Sequence, residues 1–295
     1  MNFNLKECIF CKTRKPFGYF RRNPASKDGF WSWCKLCEKM YSYYDIKGDK
    51  KYVVSFSGGK DSTAMLLRLI EEKKTIDAII YYDCGSFEWP EMATHIKKVE
   101  KDIGREIIKI KHQKDFYELA TELQPRNKEI NGWPTMMMRW CTMIKINMIR
   151  QALRPYRPYV QYIGFSSDEQ DRVLKASMAG SNATKVSFFK NRFPLVEWGM
   201  TERDCLKYCF DRGYTWDGLY EHFSRVSCWC CPLQNQTDLS KLCQYYPDMW
   251  KRLKAWNSNM PKPFKNDPDI FNKIEKRAYS SETSGLTSFS AGGRP

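Results

Sequence analysis

The amino-acid sequence predicts an α/β protein in which helices wrap a parallel sheet, with a small zinc ribbon before it and a cysteine-rich subdomain after it. From residue 52 onward, short apolar runs alternate with segments whose apolar residues recur at helical spacing, as in parallel sheets with crossover helices. Two Cys-x-x-Cys pairs precede this region and a third follows it, and such pairs are typical of metal sites in chains without disulfides.

The size and composition agree with this fold class. A chain of 295 residues can form one large domain with a full core and a small satellite. No apolar run approaches the roughly 18 residues of a membrane helix, and residues 1–7 lack the apolar stretch of a signal peptide. We therefore expect a cytoplasmic protein without membrane contact, whose twelve cysteines are metal-bound or reactive thiols rather than disulfides.

The N-terminal segment, residues 1–47, is predicted to bind zinc. Its two Cys-x-x-Cys pairs each present two thiolates from one tight turn, and a segment this short needs a metal for stability. The predicted ligands are Cys8, Cys11, Cys34 and Cys37. The segment is similar to the small zinc ribbons attached to phage and bacterial nucleic-acid enzymes.

Positive charge is concentrated in the same segment. Residues 1–51 contain twelve Lys and Arg against five Asp and Glu, so seven of the fifteen net positive charges lie there. Aromatic residues such as Tyr19 and Trp31 are interleaved with the basic ones. Two interpretations stay open: stacking on bases with phosphate pairing, or a structural ribbon whose charges are solvated.

A glycine-containing turn follows the first predicted strand, Tyr52 to Phe56, and precedes a predicted helix that ends near Glu72. Adjacent glycines let the backbone approach a ligand closely, and the N-terminus of the helix favours an anion, usually phosphate. The residues predicted to bind it are Ser57, Gly58, Gly59, Lys60, Asp61, Ser62 and Thr63. An ordinary strand-turn-helix with a cap is the alternative.

This turn is not the common P-loop, because Asp61 follows Lys60 where that motif requires Ser or Thr. It resembles instead the pyrophosphate loop (PP-loop), Ser-Gly-Gly-x-Asp-Ser, of the ATP pyrophosphatases and the phosphoadenosine phosphosulfate (PAPS) reductase family. The resemblance implies an adenine nucleotide alpha-hydrolase-like fold that binds ATP or a related adenine nucleotide with Mg²⁺. It also implies catalytic roles for Lys60 and Asp61.

A second segment resembles the family's Asp-Thr-Gly turn, which precedes an aromatic-Pro-Glu helix start. Asp83 opens it, Cys84 stands in the place of the threonine, and a helix is predicted from Pro90 to about Ile103. Asp83 is expected at the ribose, the adenine amine or Mg²⁺, or else it only caps a turn.

A third segment, Gly164-x4-Glu169-x2-Arg172, resembles the family signature Gly-Ile-Arg-x-x-Glu-x-x-Arg. Gly164 is expected to bind the nucleotide and Arg172 to be catalytic. Ser166 replaces the first arginine, which casts doubt on reductase-type substrate binding.

A fourth segment, Phe193-Pro194-Leu195-x2-Trp198-x2-Thr201, resembles the family's Pro-Leu-x-x-Trp-Thr element, and Thr201 is a candidate N-cap. Cys205 and Cys209 then share one face of the predicted helix, where they either pack in the core or bind a metal.

Four further cysteines are predicted to hold a 4Fe-4S cluster, with zinc or free thiols as alternatives. They are Cys141, Cys228, Cys231 and Cys243, with Cys230 as a competitor. Cys141 belongs to an Arg-Trp-Cys segment found in many PAPS reductase relatives. Its position near a helix N-terminus and Arg139 favours a lowered pKa, although a buried inert cysteine is the alternative.

The predicted organisation is a ribbon at 1–47, a PP-loop domain at 48–215, a cysteine-rich subdomain at 216–279 and a disordered tail at 280–295. The function implied is an enzyme that cleaves or transfers at the α-phosphate of an adenine nucleotide in sulfur transfer, with a nucleic acid as candidate acceptor and a sulfur donor protein as candidate partner. The alternatives are a PAPS or adenylyl-sulfate reductase, although the tail lacks that enzyme's Glu-Cys-Gly-Leu-His segment, and a non-catalytic nucleic-acid-binding adaptor.

Overall fold

The computed structural model describes residues 5–8, 13–24, 28–37, 49–123, 129–178 and 189–285. Two compact units are present: one takes residues from 1–82, 94–110 and 149–215, and the other from 83–93, 111–148 and 216–295. The second unit therefore combines two internal segments with the C-terminal part of the chain. The domain boundaries drawn from the sequence remain predictions.

The strands of the described residues are β1 (Leu5–Glu7), β2 (Arg14–Pro16), β3 (Phe20–Arg22), β4 (Phe30–Cys34), β5 (Lys51–Phe56), β6 (Ala78–Asp83), β7 (Ile108–Lys111), β8 (Tyr159–Ile163) and β9 (Phe189–Arg192). The helices are α1 (Lys60–Glu71), α2 (Pro90–Ile103), α3 (Phe116–Thr121), α4 (Trp140–Ala152), α5 (Gln170–Met178), α6 (Pro194–Glu197), α7 (Glu202–Phe210), α8 (Leu219–His222), α9 (Gln236–Tyr245), α10 (Pro247–Ser258) and α11 (Ile270–Gly285).

The N-terminal strands form two antiparallel pairs, β1 with β2 and β3 with β4. Register places Phe20 opposite Cys34. Buried cysteines of this module share an apolar cluster with residues of α5 and the segment after β9; the buried members of the cluster are Cys8, Phe20, Cys34, Cys37, Val173, Phe193 and Val196. The short N-terminal module therefore buries apolar side chains against other residues of the first unit.

The central sheet has five parallel strands in the order β7-β6-β5-β8-β9, which confirms the predicted fold class. Val53 in β5 lies opposite Ala78 on one side and Gln161 on the other. The chain leaves β5 toward β6 and β7 and later returns to its other side as β8 and β9. A reversal of strand order of this kind opens a crevice beyond the carboxyl ends of β5 and β8, where doubly wound sheets bind ligands.

The helices of the first unit begin where the sequence predicts them. α1 buries an apolar face that includes Met65, Leu66 and Leu69 against the sheet. Thr201 is the N-cap of α7 and forms a capping box with Asp204, as its sequence position predicts. The apolar runs and caps that fix these boundaries are local signals, so they can be read without the tertiary structure.

The second unit has an aromatic core. Phe87 packs against Phe116 and Trp133, with ring centroids 5.6 Å and 6.2 Å away. Trp229 lies 5.1 Å from Trp256 in the same unit. Aromatic side chains bury a large apolar area each, so these rings contribute much of the core of this unit.

The C-terminal helix runs further than expected. Ile270, Ile274 and Ala278 bury one face of α11, and the helix continues to Gly285, so Ser280 lies in a helix rather than in the disordered tail predicted from the sequence. Residues 286–295 lie outside the described residues. Among the helices that the structure describes, none has the length and apolarity required to cross a bilayer.

Candidate functional site

The turn between β5 and α1 exposes the N-terminus of a twelve-residue helix. Gly58 adopts a positive φ of 78°, a conformation open to glycine and costly for other residues. Gly59 is the N-cap of α1 and has no side chain to cap it. The first N–H groups of a helix have no acceptor within the helix, so this turn presents donors and the positive end of the helix dipole.

The hydroxyl groups of the turn hold its shape. The Ser57 N–H donates to Ser62 Oγ at 3.2 Å, and the two serine hydroxyls lie 2.9 Å apart. Ser62 in turn donates to the Gly59 carbonyl at 3.0 Å, and Thr63 donates to the Gly58 carbonyl at 3.4 Å. Ser62 and Thr63 are buried, while Ser57 is exposed. Two of the three predicted hydroxyl donors, Ser62 and Thr63, are therefore buried and bond to carbonyls of the turn itself.

His95 supports the turn and was not identified from the sequence. Its Nε2 lies 3.1 Å from Thr63 Oγ1, and the residue is 4% exposed. Burial lowers the pKa of His95 to about 3, and the charge of Lys98 adds to this. The ring is therefore neutral near neutral pH. The available signal was a polar residue on the apolar face of α2, beside Ile96 and Val99.

Lys60 is buried and surrounded by carboxylates. Its Nζ lies 2.7 Å from Glu202 Oε2 and 3.5 Å from Asp61 Oδ2. Asp61 Oδ1 is buried and has no hydrogen-bond partner within the described residues. Burial raises the pKa of Asp61 to about 6; Lys60 opposes this, whereas Glu202 and Glu169 add to it. Two carboxylates, those of Asp61 and Glu202, thus face the Lys60 ammonium group, and the unpartnered Asp61 oxygen is suited to a cation.

Gly164 follows β8 and packs directly on the turn. A Cβ at this position would lie 2.9 Å from Ser62 Cα and 3.0 Å from Ser62 N, closer than real contacts allow. Glycine is required here because the chain after β8 passes against the backbone of the first turn of α1. The structure thus brings together Gly164 and the turn, as their predicted joint role requires.

Arg172 is engaged by a neighbouring acid. It pairs with Glu169 Oε1, and its guanidinium lies 4.3 Å from the Phe165 ring centroid. Ser166, which replaces the family's first arginine, is fully buried and donates through N–H and Oγ to Glu169 Oε2 at 3.3 Å and 3.4 Å. Ser166 therefore orients Glu169, and the Arg172 side chain is 49% exposed beside it.

Cys205 and Cys209 pack behind the turn on α7. Both are fully buried, and the Cys209 thiol donates to the Lys60 carbonyl at 3.5 Å. Burial raises the pKa of both thiols, that of Cys209 to about 12, and the charge of Asp61 adds to this. These are neutral thiols of the core, which agrees with the packing interpretation.

The thiols of the second unit lie in three chain segments that hydrogen bonds and charge interactions connect. Trp229 donates its backbone N–H to the Phe87 carbonyl at 3.2 Å and its Nε1–H to the Ser86 carbonyl at 2.8 Å. The Cys228–Cys231 turn is thereby fixed on the turn that starts at Cys84. The nearby Cys84 thiol, together with burial, raises the pKa of the Cys228 thiol.

Cys141 lies in the first turn of α4, and Cys231 and Cys84 are near enough to raise its pKa. Burial raises the pKa of Cys141, so the lowered pKa expected from its helix position is wrong. The guanidinium of Arg139 acts instead on Cys231, where it lowers the pKa against the larger effect of burial. The side-chain direction of an arginine is a tertiary property that its sequence position does not fix.

Cys243 lies elsewhere in the same unit. It is 1% exposed on α9, and its thiol lies 4.0 Å from the Tyr279 hydroxyl, with Glu275 and Lys254 as charged neighbours. None of these neighbours is another of the predicted cluster ligands, and the set of Cys141, Cys228, Cys231 and Cys243 remains a prediction. Cys84, which was not among the predicted ligands, is a neighbour of Cys228.

The N-terminal thiols form a compact group. The sulfur atoms of Cys8, Cys34 and Cys37 lie within 4.8 Å of one another. The Cys34 N–H donates to Cys8 Sγ at 3.3 Å, and Lys15 Nζ lies 3.5 Å from Cys34 Sγ. The fourth predicted ligand, Cys11, lies outside the described residues.

A comparison with protein families decides which family this site belongs to. The model of the phosphoadenosine phosphosulfate reductase domain matches residues 51–234, which is more than half of the chain. The chain belongs to the PAPS reductase domain family. The matched region includes the glycine turn, Gly164, and the thiols of Cys84, Cys141 and Cys228–Cys231.

Individual relatives are more distant. An uncharacterized protein of Methanocaldococcus jannaschii is 27% identical over 217 residues, which is 72% of this chain and 42% of that protein. This chain thus spans less than half of that relative.

Two solved structures align with a TM-score below 0.5. The U34-tRNA thiolase NcsA of Methanococcus maripaludis, with its 4Fe-4S cluster, is 15% identical with a TM-score of 0.39 and covers 93% of this chain and 87% of its own. The NH3-dependent NAD synthetase of Campylobacter jejuni, in complex with nitrate, is 11% identical with a TM-score of 0.35 and covers 88% and 96%.

The metals that the PAPS reductase resemblance and the ribbon resemblance imply can be tested against these donor sets. Tetrahedral ligands about 2.3 Å from zinc lie about 3.8 Å apart, so the compact trio of Cys8, Cys34 and Cys37 fits a zinc ion. Among the residues described, no thiols of the second unit form such a trio. Cluster thiolates bind different irons and need no such compactness, so the second-unit thiols fit a cluster better than a single ion.

Mg²⁺ also fits the first unit, because the buried Asp61 Oδ1 is a hard oxygen donor without a partner in the described structure. Asp83 is a different case. Its Oδ1 accepts from the Gly85 N–H at 2.7 Å, so it caps a turn, as the alternative interpretation expects. Its nucleotide-binding role remains a prediction.

Proposed function

We propose that this protein is an ATP-pyrophosphatase-type enzyme that binds ATP or a related adenine nucleotide at the glycine turn and reacts it at the α-phosphate. The observation that carries the proposal is Asp61 Oδ1, a buried carboxylate oxygen without a partner in the described residues. It lies in the first turn of an uncapped helix that starts at the switch point of the sheet. A phosphate chain with its cation matches both features.

The chain's own groups have distinct tasks in this proposal. The N–H groups of Gly59, Lys60 and Asp61 hold the phosphate oxygens, and Gly58 shapes the turn that aims them. Asp61 binds the cation, which neutralises charge on the pyrophosphate leaving group. Lys60, now paired with Glu202, exchanges one carboxylate for phosphate when the nucleotide enters. Because these donors are fixed before the reaction, they stabilise developing charge without reorganisation.

Sulfur transfer is the reaction class that the second unit supports. Cations lie near two of its thiols: Lys265, Arg225 and Arg139 lower the pKa of Cys231 against the larger effect of burial, and Lys145 Nζ lies 3.9 Å from Cys84 Sγ. Cationic surroundings stabilise thiolates and negatively charged clusters. In the proposed reaction, sulfide-level sulfur from a sulfur donor protein would displace AMP from the adenylated acceptor, so that the bond to sulfur forms as the bond to AMP breaks.

A nucleic acid is the acceptor we propose. In the N-terminal module, Tyr19 and Trp31 are 57% and 52% exposed, beside basic residues that include Arg21 and Arg22. Exposed aromatic rings can stack on bases while the basic groups pair with phosphates. Phe20 does not contribute to such a surface, because it is buried in the core.

The test is calorimetric titration of the full chain with ATP and Mg²⁺, with pyrophosphate release measured in the presence of sulfide and tRNA or DNA. Asp61→Asn should abolish the Mg²⁺-dependent part of ATP affinity. Asp211→Asn is the matched control, because Asp211 is an exposed acid that follows α7 and pairs with Lys207. Equal ATP affinity in wild type, Asp61→Asn and Asp211→Asn would refute the proposed cation site.

A PAPS or adenylyl-sulfate reductase is the second candidate, favoured by the family model that matches residues 51–234. A reductase needs a thiolate that attacks sulfur. The last cysteine of the chain, Cys243, is buried on α9, so the attack would fall to another thiol. Sulfite release from PAPS with thioredoxin, without pyrophosphate release from ATP, would favour this candidate.

A further inference from the structure

The strongest unexplained feature of the second unit is Cys84. In the family turn that this segment resembles, the position is a threonine, and no nucleotide contact requires a thiol there. Cys84 is 4% exposed, and the nearby Cys84 thiol raises the pKa of the Cys228 thiol. It also lies within electrostatic range of Cys141 and Cys230.

Hydrogen bonds that involve no thiol also connect the turn after Cys84 with the turn of Cys228–Cys231. Trp229, between Cys228 and Cys230, donates hydrogen bonds to the carbonyls of Ser86 and Phe87, and its side chain is 1% exposed. Gly85 has a φ of 61°, and Asp115 accepts from the Ser86 N–H at 2.8 Å. Trp229 and Asp115 therefore both hold the turn that follows Cys84, and Trp229 places this turn against the Cys-x-x-Cys turn.

The surroundings of Cys84 also suit a ligand. Lys145 Nζ approaches its sulfur at 3.9 Å from the same helix that carries Cys141. A cation beside a ligand sulfur offsets the negative charge of a thiolate-bound cluster and tunes it from the outer shell. Cys243, by contrast, has the Tyr279 hydroxyl as its polar neighbour and two residues of opposite charge nearby.

We infer that Cys84 completes the ligand set of an iron–sulfur cluster in the second unit, together with Cys141, Cys228 and Cys231, and that Cys243 is not a ligand. Each thiol releases its proton to solvent as its sulfur binds iron. Cys230 lies between the two ligands of the turn in sequence and is fully buried. The inference deepens the proposed function, on which the presence of a cluster rests.

The test compares four full-length proteins after anaerobic reconstitution with iron and sulfide: wild type, Cys84→Thr, Cys141→Ser and Cys243→Ser. Cys84→Thr restores the family residue and is therefore expected to fold, which circular dichroism checks; Cys84→Ser replaces it if it does not. The readouts are iron and acid-labile sulfide per chain, and the electron paramagnetic resonance spectrum of the reduced protein. ATP affinity is measured in parallel on each protein.

Wild type and Cys243→Ser should bind about four irons per chain with the same spectrum, as a cluster with all its thiolates does. Cys84→Thr and Cys141→Ser should lose at least about half of that iron or change the spectrum. The inference is overturned if Cys84→Thr keeps the wild-type iron and spectrum, if Cys243→Ser loses them, or if wild type binds only zinc.

ATP affinity separates this inference from the proposed function. A protein that needs Cys84 for its cluster but binds no ATP supports the inference and refutes the nucleotide proposal. A protein that binds ATP with Mg²⁺ but takes up no iron supports the nucleotide proposal and refutes the inference.

Discussion

The glycine turn of the first unit and the thiols of the second unit are built in opposite ways. The turn comes from one continuous stretch, residues 57–63, and hydrogen bonds from Ser62 and Thr63 hold its shape without a ligand. The thiols come from three distant segments, and their thiol groups are neutral because burial raises the pKa of Cys141 and Cys231. If the proposed function holds, the turn is shaped before its ligand binds, whereas the thiol site is completed only by its metal.

Because of this difference, we expect substitutions in the turn and substitutions at the thiols to have different effects. Changes in the turn should weaken ligand binding while the fold survives, because the backbone there is stabilised locally. Changes at the thiols should weaken metal binding and stability together, because binding energy at such a site is also folding energy. The same reasoning applies to the predicted zinc ligands of the N-terminal module, Cys8, Cys34 and Cys37.

The largest effect is expected from metal removal. Treatment with 1,10-phenanthroline, which leaves Mg²⁺ in solution, should expose residues 5–37 to proteolysis, because zinc supplies energy on the order of 10 kcal/mol in small zinc modules. Limited proteolysis with mass spectrometry measures this. Cys34→Ser should reproduce it without chelator, whereas Cys209→Ser, at a buried thiol outside the zinc group, should not. Equal proteolysis with and without chelator would contradict the zinc assignment.

The next effect concerns the turn. Gly58→Ala forces a side chain into a φ of 78° and displaces the amides that hold phosphate, so ATP affinity should fall about 100-fold, roughly 2.7 kcal/mol. Gly213→Ala is the matched control, since Gly213 has a φ of 76° and open space around it. Calorimetry should show reduced stability in both variants but weakened ATP binding in Gly58→Ala alone. The same ATP affinity in both variants would contradict the assignment of the glycine turn as the phosphate-binding site.

A pH effect of intermediate size is expected from His95. Its pKa is about 3 in the folded protein, against an ordinary value of 6.5, so the unfolded chain binds more protons between these values. Stability should therefore fall as the pH drops from about 6.5 toward 3. His95→Gln should flatten that dependence in urea unfolding curves measured at several pH values. An unchanged slope would show that His95 is not buried in neutral form.

The smallest effect is expected from Arg172. Its ion pair with Glu169 is half exposed, and such pairs contribute less than about 1 kcal/mol. Arg172→Ala should therefore barely change the urea midpoint. If the predicted catalytic role holds, the same variant lowers nucleotide turnover while ATP affinity is unchanged. A large loss of stability would instead make Arg172 a structural residue.

The sequence was sufficient for features that depend on neighbouring residues. The strand before Ser57, the helix from Pro90 to Ile103 and the cap at Thr201 all follow from local periodicity, turn chemistry and capping. The requirement for Gly164 was predicted through family resemblance, and its physical reason, the approach to Ser62, emerged only from the fold.

Features that depend on distant segments could not be predicted from the sequence. Spacing along the chain cannot show that Trp229 joins the turn of Cys84 or that Cys243 faces Tyr279. The raised pKa of Cys141 reflects burial, which outweighs the helix position seen in the sequence. His95 had no motif around it, and its role appears only because α2 packs against the turn.

The central claim is that backbone amides of the glycine turn hold the phosphates of an adenine nucleotide, and amide hydrogen exchange tests it most directly. Peptides that cover residues 57–63 should exchange more slowly when ATP and Mg²⁺ are added, while peptides from α11, which lies in the other unit, should not change. ATP binding that leaves exchange at residues 57–63 unaltered would contradict the account.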